Sequence, residues 1–397
     1  MKSYNVLVIA LILFTALGCR NNKQSDNDKE KLIVRAQETL DSLYKYYGTK
    51  ESNLLWEMYP FNEEHKVTYL ASEQKNVSNQ YAFLWPYSGT FSAVNAIIEA
   101  TNDSKYKQIL DNRVLAGLEE YFDTTRQPAA YASYINSAPP SDRFYDDNVW
   151  LGIDFSDIYM QTKEDKYLHK AKLIWEFILS GKDDKLGGGI YWCEQNKGSK
   201  HSCSNAPAAV YAFKLFEATA DSTYFEQGKS IYEWTYKNLR DSTDNLYYDN
   251  INLEGGIDKA KYAYNSGQML QAAALLYKLT KEDQYLKTAR DIAESCYSYF
   301  FNDFETPEGD KFRMLKKRDI WFTAVMFRGF IELYKIDNNT IYIDTFRKNL
   351  DYAWNHMRDE NGLFNSDWSG EVKDESKWVL TQAAMAEMYA RLALLNA

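Results

Sequence analysis

Lys166-Tyr167-Leu168-His169-Lys170-Ala171-Lys172-Leu173-Ile174-Trp175-Glu176-Phe177-Ile178 carries apolar side chains at offsets +1, +4, +7, +8 and +11 from its tyrosine. Steps of three and four residues place them on one face of an amphipathic helix, with lysines and Glu176 opposite. The stretch has relatives along the chain. Lys105-Tyr106-Lys107, Thr223-Tyr224-Phe225, Gln284-Tyr285-Leu286 and Ile341-Tyr342-Ile343 open comparable segments, and successive tyrosines lie 61, 57, 61 and 57 residues apart. Lys107, Arg113 and Asn349 break the apolar pattern in their copies. Leu32, Ile33, Ala36, Leu40 and Leu43 supply a sixth copy near the N-terminus. A helix that recurs at a near-constant period is the mark of a repeat architecture.

A second kind of helix precedes each tyrosine. Ala206 to Thr219 and Gly267 to Leu279 are apolar almost all round, as are Tyr87 to Ala100, Val149 to Met160 and Phe322 to Lys335. Trp378 to Leu395 is a sixth. Helices apolar on every side must be buried. Six buried helices alternating with six half-exposed ones predict an all-α fold, an (α/α)6 barrel, with an open superhelical array as the competing arrangement. The chain starts on an outer helix and ends on an inner one, and these form a pair only if the ring closes.

The connections predict where a site lies. Inner-to-outer turns such as Asn102-Asp103-Ser104 and Asp221-Ser222 are short, whereas outer-to-inner connections are long, at about 48–85, 123–145, 181–203, 241–263, 302–318 and 358–376. Long loops within a compact domain commonly carry function. All six fall at the end of the barrel where the inner helices begin. Counting back 19 or 20 residues from each tyrosine reaches Pro86, Asp147, Asn205, Asn265 and Phe322. The polar ones suit helix N-caps, and Asn265 with Gln268 has capping-box spacing.

Asp146-Asp147 differs from the others because only one carboxylate of an adjacent pair can serve as a cap. Glycoside hydrolysis uses two carboxyl groups, one protonated, about 5–5.5 Å apart in retaining enzymes and roughly 6.5–9.5 Å apart in inverting ones. Like charges side by side raise one pKa, and a helix N-terminus stabilises the remaining anion. Asp183-Asp184 is a second acidic pair, but its Lys/Asp/Gly surroundings predict a solvated turn. Gly187-Gly188-Gly189 lacks the Gly-Lys-Ser/Thr ending of a phosphate loop and fits a turn that lets a loop approach a glycan.

Composition narrows the partner. A net charge of -10, with Lys316-Lys317-Arg318 as the densest basic run, disfavours nucleic acid and polyanions and suits a neutral substrate. Sugar-gripping proteins stack aromatic rings on their ligands, and 32 Tyr, 20 Phe and 10 Trp allow for it, although rings also fill cores. Cys193 and Cys203 would close a small loop if oxidised after export, with Cys296 left over. His201 lies near those cysteines, but no Cys-x-x-Cys or His-Glu-x-x-His spacing supports zinc.

The N-terminus reads as a targeting segment. Lys2 precedes the apolar run Val6 to Leu17, which ends in Gly18-Cys19. This is shorter than the roughly 20 residues that span a bilayer, and it fits a secretory signal. Ala16-Leu17-Gly18-Cys19 resembles a bacterial lipobox, so residues 1–19 are expected to end at a lipidated Cys19. An ordinary signal peptide with an incidental cysteine is the alternative. Residues 20–30 form a polar tether and 31–397 the catalytic domain. The expected location is the outer membrane, at the cell surface or its periplasmic face. The membrane is then a partner through the lipid alone, and the protein is expected to be a monomer.

Phe144-Tyr145-Asp146-Asp147-Asn148-Val149-Trp150 resembles the signature of glycoside hydrolase family 76, which consists largely of endo-α-1,6-mannanases. Leu84-Trp85-Pro86-Tyr87-Ser88-Gly89, Gly187-Gly188-Gly189-Ile190-Tyr191-Trp192, Ser204-Asn205-Ala206-Pro207 and Tyr264-Asn265-Ser266-Gly267-Gln268 are similar to it in order, over about 80–395. Residues 48–79 carry none of these recognisable segments, which leaves the contacts made there open. The resemblance implies a retaining mannanase acting on α-mannan polysaccharide or oligosaccharide without metal or cofactor. It makes Asp146 the nucleophile and Asp147 the general acid/base. Trp85, Tyr145, Trp150 and Trp192 are expected to stack on sugars, and Asn205 and Asn265 to bind hydroxyls. Two competing functions keep the scaffold. One is an unsaturated glucuronyl hydrolase, which needs cations such as Lys182, Lys185, Lys197 and Lys200 for a uronate; the other is a non-catalytic glycan-binding lipoprotein.

Overall fold

The computed structural model describes residues 27–62, 64–71, 79–317 and 319–395. Cys19 and the signal segment lie outside them. Twelve long helices, among the described residues, alternate between an outer and an inner ring. The outer ones are α1 (27–47), α3 (104–118), α5 (Asp165–Ser180), α7 (Ser222–Leu239), α9 (Asp283–Phe300) and α11 (Ile341–His356). The inner ones are α2 (Leu84–Thr101), α4 (Tyr145–Thr162), α6 (Ser202–Thr219), α8 (Ala263–Thr280), α10 (Ile320–Asp337) and α12 (Val379–Leu394).

Burial follows the sequence periodicity. In α5 the buried set is Tyr167, Ala171, Ile174, Trp175, Phe177 and Ile178, one stripe facing the inner ring. In α8, by contrast, Ala263 and every residue from Asn265 to Leu276 are buried. Each inner helix packs on the next, and α12 packs back on α2, so the ring is closed. The chain ends seal it: Met58 pairs antiparallel with Trp378, Tyr47 donates to the Lys377 carbonyl at 2.9 Å, and Arg35 meets Asp351. An open array is thereby excluded.

The short turns share one conformation. Asn102, Lys163, Ala220, Lys281 and Asn338 each end an inner helix in the left-handed region and close on the carbonyl four residues back. Asp103 and Asp221 then cap the outer helices by accepting from Lys105 and Thr223 amides. At the crossing of α8 and α10 the backbones nearly touch. A Cβ on Gly267 would sit 2.4 Å from Met326 Cα, and one on Gly329 would sit 2.4 Å from the Gly267 carbonyl oxygen.

The pattern-breaking residues have structural uses. Outer helix α3 contains a π turn at Leu110–Val114, whose extra residue rotates the apolar face, so that Val114 and Leu118 remain buried. Arg113 lies over the Tyr44 ring at 3.8 Å. Asn349 is buried and grips the Phe301–Glu305/Lys311–Leu315 hairpin, accepting from Leu315 N and donating to the Arg313 carbonyl.

Several sequence expectations are corrected. Inner helices start two to four residues earlier than their apolar runs, apart from α12, which starts one residue later than expected. Helix α1 begins at 27, inside the stretch 20–30 assigned to a tether. Asp183-Asp184 does lie in an exposed turn, with the Asp183 side chain 39% exposed, but Asp183 also accepts from the fully buried Lys200 Nζ at 2.6 Å and from Tyr191 Oη at 2.7 Å. All three described cysteines are free, so Cys193 and Cys203 form no bridge.

Gly187, Gly188 and Gly189 all have positive φ, but their close approach is to a protein ring. A Cβ on Gly189 (φ +79°) would lie 2.6 Å from the indole of Trp234, whose Nε1 donates to the Leu186 carbonyl. Gly189→Ala is therefore expected to lower unfolding stability by about 1–3 kcal/mol in chemical denaturation. An unchanged midpoint would show that the turn has room to shift.

Candidate active site

The long loops gather at the N-terminal end of the inner ring and surround a cavity of about 520 Å³. Inner-helix position decides what lines it. The second residues of five inner helices, Trp85, Asp146, Cys203, Tyr264 and Trp321, all face the cavity, as do the third residues Asp147 and Phe322. The N-caps Phe144, His201 and Tyr262 join them, with Trp150, Trp192, Asp249 and the segment Thr68, Tyr69 and Leu70. No Lys or Arg is among these described lining residues.

Neither aspartate is a cap. Phe144 is the N-cap of α4, and the pair occupies the second and third helical positions, where free amides and the helix dipole favour an anion. The strand-like contact of residues 143–145 with 192–194 sets the geometry: Tyr145 N donates to the Trp192 carbonyl at 2.9 Å and Glu194 N to that of Arg143 at 3.0 Å. The fully buried Arg143 locks the pairing through Glu194, with Nε–Oε2 at 2.7 Å. Trp192 is thereby aimed at the pair, and its Nε1 donates to Asp146 Oδ2 at 3.1 Å.

The two carboxyl groups are electrostatically unequal. Burial raises the Asp146 pKa to about 6, a shift restrained by donors from Cys203, Trp192 and the amides of Asp146 and Asp147. Asp147 has no such donors; burial, and then the neighbouring charge of Asp146, pushes its pKa well above the carboxylate range. Near neutral pH the first proton to leave the pair therefore leaves Asp146, and Asp147 stays protonated. Burial also lowers His201 to about 4, which keeps its ring neutral. That ring stacks on Trp192 at 5.1 Å, and its Nε2 is 2.7 Å from Ser199 Oγ.

An aromatic floor completes the cavity. Trp321 meets Trp150 edge-on at 5.0 Å and Trp85 at 5.6 Å, while Tyr264 stacks on Phe322 at 4.0 Å. Indole Nε1 of Trp85 and of Trp321 has no hydrogen-bond partner within the protein.

Of the residues singled out from sequence, Asp146, Asp147, Trp85, Trp150 and Trp192 come together around the cavity. Tyr145, Asn205 and Asn265 do not line it. The Tyr145 ring turns outward to stack on Phe177 at 4.7 Å, as expected for a first helical residue pointing away from its second. Asn205 is spent on backbone: it accepts from Ile190 N at 2.7 Å and donates to the carbonyls of Ile190 and His201. Asn148 and Gln382, also fourth in their helices, clamp Tyr131 and Phe364 in the same way. Asn205 is thus the counterpart of Asn148, one register away from Asp147. Asn265 is buried behind Asp249, to which it donates at 3.4 Å, and caps nothing.

Tyr69, Cys203, Asp249, Tyr262, Tyr264 and Trp321 escaped sequence reasoning. Aligning inner helices on their first turns, rather than on distant tyrosines, finds Cys203, Tyr264 and Trp321 as equivalents of Asp146. Tyr69 lies outside the repeat.

Comparison with known proteins agrees with this geometry. Residues 35–311 match the model of Glycosyl hydrolase family 76. A solved family 76 mannosidase from Bacteroides thetaiotaomicron is 35% identical, with a TM-score of 0.82 over 92% of this chain and 98% of that one. An inactive variant of an α-1,6-mannanase from a Salegentibacter species, solved with α-1,6-mannotriose, is 23% identical, with a TM-score of 0.72 over 92% and 99% of the two chains. A mannan endo-1,6-α-mannosidase of Saccharomyces cerevisiae is 24% identical over 34% of this chain and 33% of its own. The matched stretches span less than half the length of such curated relatives.

Proposed function

This chain belongs to glycosyl hydrolase family 76, and from that premise we propose that it is a retaining endo-α-1,6-mannosidase that hydrolyses the backbone of fungal-type mannan. The observation that carries the proposal is the unequal pair Asp146/Asp147 in a cavity walled by aromatic rings, with no lysine or arginine among its described lining residues. Mannan is a neutral polymer whose sugar faces suit ring stacking, and it calls for no cation. The α-1,6-mannotriose bound by the Salegentibacter relative and the mannan cleaved by the yeast one point the same way.

In the first step ionised Asp146 attacks the anomeric carbon, and the bond from that carbon to the glycosidic oxygen breaks. The oxygen takes the proton of Asp147 as the shortened chain departs. In the second step Asp147, now ionised, removes a proton from water. The resulting oxygen displaces Asp146 from the anomeric carbon, so configuration is retained and both groups return to their starting states. The helix amides and Trp192 Nε1 hold the Asp146 charge.

Neither competing function has a supporting observation. Lys200 is buried on Asp183, and Lys182, Lys185 and Lys197 do not line the cavity, so none of these four lysines faces a uronate there. A binding protein has no use for two adjacent carboxyl groups whose charges repel each other. Linear α-1,6-mannan incubated with the protein should yield a series of manno-oligosaccharides that first appear as the α-anomer in NMR; absence of products on prolonged incubation would sink the mannanase assignment. The rate should rise through about pH 6 as Asp146 ionises and fall at higher pH as Asp147 loses its proton. A flat profile from pH 5 to 9 would contradict the assigned roles.

A lipid on Cys19 at the outer membrane, with the protein a monomer, completes the proposal. No helix among the described residues is long and apolar enough to cross a membrane. Cys19→Ser should move the protein from the membrane fraction to the soluble one.

A further inference from the structure

The donor that holds the nucleophile is itself held in place by its neighbours. Trp192 Nε1 donates to Asp146 Oδ2 at 3.1 Å, and a turn of the indole about its side-chain bonds would break that contact. Two rings border the indole, and both belong to residues at the N-cap positions of inner helices. Phe144, before α4, meets it at 4.9 Å with the planes tilted by 53°. His201, before α6, lies nearly parallel to it, at 5.1 Å and 17°.

The His201 ring is anchored at both of its nitrogens. Nε2 lies 2.7 Å from Ser199 Oγ, and Nδ1 lies 3.9 Å from Asp249 Oδ2. The backbone is fixed as well. His201 pairs with Asn250 where strand Ser199–His201 meets Asn250–Asn252, and its carbonyl accepts from Asn205 Nδ2 at 2.8 Å. Lys200 pairs with Tyr191, so the two segments that carry the stacked rings run side by side. Burial keeps the ring neutral down to about pH 4, so it acts through its face and its anchors and not through a charge. Asp147, Tyr69, Cys203, Asp249, Tyr262 and Tyr264 are the other titratable groups that share the cavity with Asp146. Burial holds Tyr69, Cys203 and Tyr264, and Cys193 beside Trp192, above their ordinary values, so none of these four gains a charge near pH 6.

We infer that His201 is a positioning residue for the nucleophile: its anchored ring keeps the Trp192 N–H on Asp146 and so favours the ionised carboxylate. This inference rests on the mannanase assignment and deepens it. A donor that stays aligned with a carboxylate stabilises the anion, and one free to turn gives up part of that stabilisation. Asp146 would then lose its proton at a higher pH, and the acid limb of the rate profile would move with it.

The readout is kcat/KM for α-1,6-mannotetraose from about pH 5 to 9, whose acid limb reports the first proton lost by the Asp146/Asp147 pair in the free enzyme. His201→Ala should move that limb up by about 0.5–1 pH unit and leave the alkaline limb in place. With each profile scaled to its own plateau, the variant is then about three- to tenfold less active than wild type at pH 5. Trp192→Phe, which removes the donor altogether, should move the limb by about 1–2 units. His201→Phe keeps a flat ring against the indole and should recover most of the shift. Ser199→Ala, a change outside the cavity lining, should give a smaller shift of the same sign with KM unchanged. An acid limb that stays put in folded His201→Ala, or an equal rise in KM for the Ala and Phe variants, would overturn this inference alone. Failure of the wild type to cleave the tetraose would overturn the mannanase assignment and this inference with it. Thermal unfolding identifies a His201 variant that does not fold; Ser199→Ala then decides, and an acid limb at the wild-type position counts against the proposal.

Discussion

Asp146→Asn is expected to lower cleavage of α-1,6-mannan by about 10⁴-fold or more, because an amide cannot form the glycosyl-enzyme. Asp147→Asn should cost a comparable factor on mannan, for a different reason: the sugar alkoxide leaves poorly without a proton. The two variants part on a nitrophenyl mannobioside, whose leaving group departs without acid assistance. There Asp147→Asn should still form the glycosyl-enzyme, giving a burst of nitrophenol followed by slow turnover, and Asp146→Asn should give none. A burst in Asp146→Asn and none in Asp147→Asn would reverse the assignment. Full mannan activity in either would refute it.

The same pair makes a prediction about stability. Both carboxyl groups have folded-state pKa values above those of an unfolded chain. Such groups favour the folded state fully below the unfolded pKa, and that contribution is lost as pH rises through the folded value, near 6 for Asp146. Wild type is therefore destabilised at pH 7 by holding these two groups out of water. Asp147→Asn, which does not titrate, should unfold at a higher temperature than wild type at pH 7, with the gap closing toward pH 4. A gap of opposite sign would mean that the pair is stabilised by contacts beyond those described.

The second large effect lies deep in the barrel. Glu387, on α12, accepts from Arg328 Nε at 2.7 Å and Nη2 at 2.8 Å, and from Arg391 Nε at 2.6 Å. Burial would raise its pKa, but the two guanidinium groups outweigh that and hold it at about 2. Glu387→Gln keeps the shape and removes the carboxylate that both guanidinium groups bind, leaving the buried Arg328 and the half-buried Arg391 only with charges farther off, such as Asp154 and Asp157. The expected cost is about 3–5 kcal/mol in denaturant unfolding at pH 7. Here the folded pKa is depressed, so the stabilisation is present above about pH 4.5 and lost as pH falls toward 2. The difference from wild type should shrink over that window. A midpoint within about 1 kcal/mol of wild type at pH 7 would show that the three residues are not coupled as their distances indicate.

The ring itself was legible in the sequence, because burial imposes a period. The tyrosine-led stripes had to face the inner ring, and the all-round apolar segments had no other place than the inside. The location of Asp146 and Asp147 followed from the same count, as did the end of the barrel carrying the long loops. Where the count slipped by one residue, at Asn205, it confused a loop clamp with a lining position. One residue on a helix is a rotation of about 100°, enough to exchange cavity for core. Periodicity also carries no information about the unequal pKa values of the two acids. These depend on a donor, Trp192, that lies 46 residues away in the chain and is aimed by the pairing of residues 192–194 with 143–145.

What the chain alone determined is therefore the closed double ring and the carboxyl pair at its loop end, since both depend on spacing along helices. What the tertiary structure decided is which side chains share the cavity. Tyr69, Asp249 and His201 reach it through loops whose course is set by single contacts such as Glu57 to Tyr69 and Asn205 to Ile190. Loops obey no period, so their contribution to the pair's surroundings exists only once the ring has closed around them.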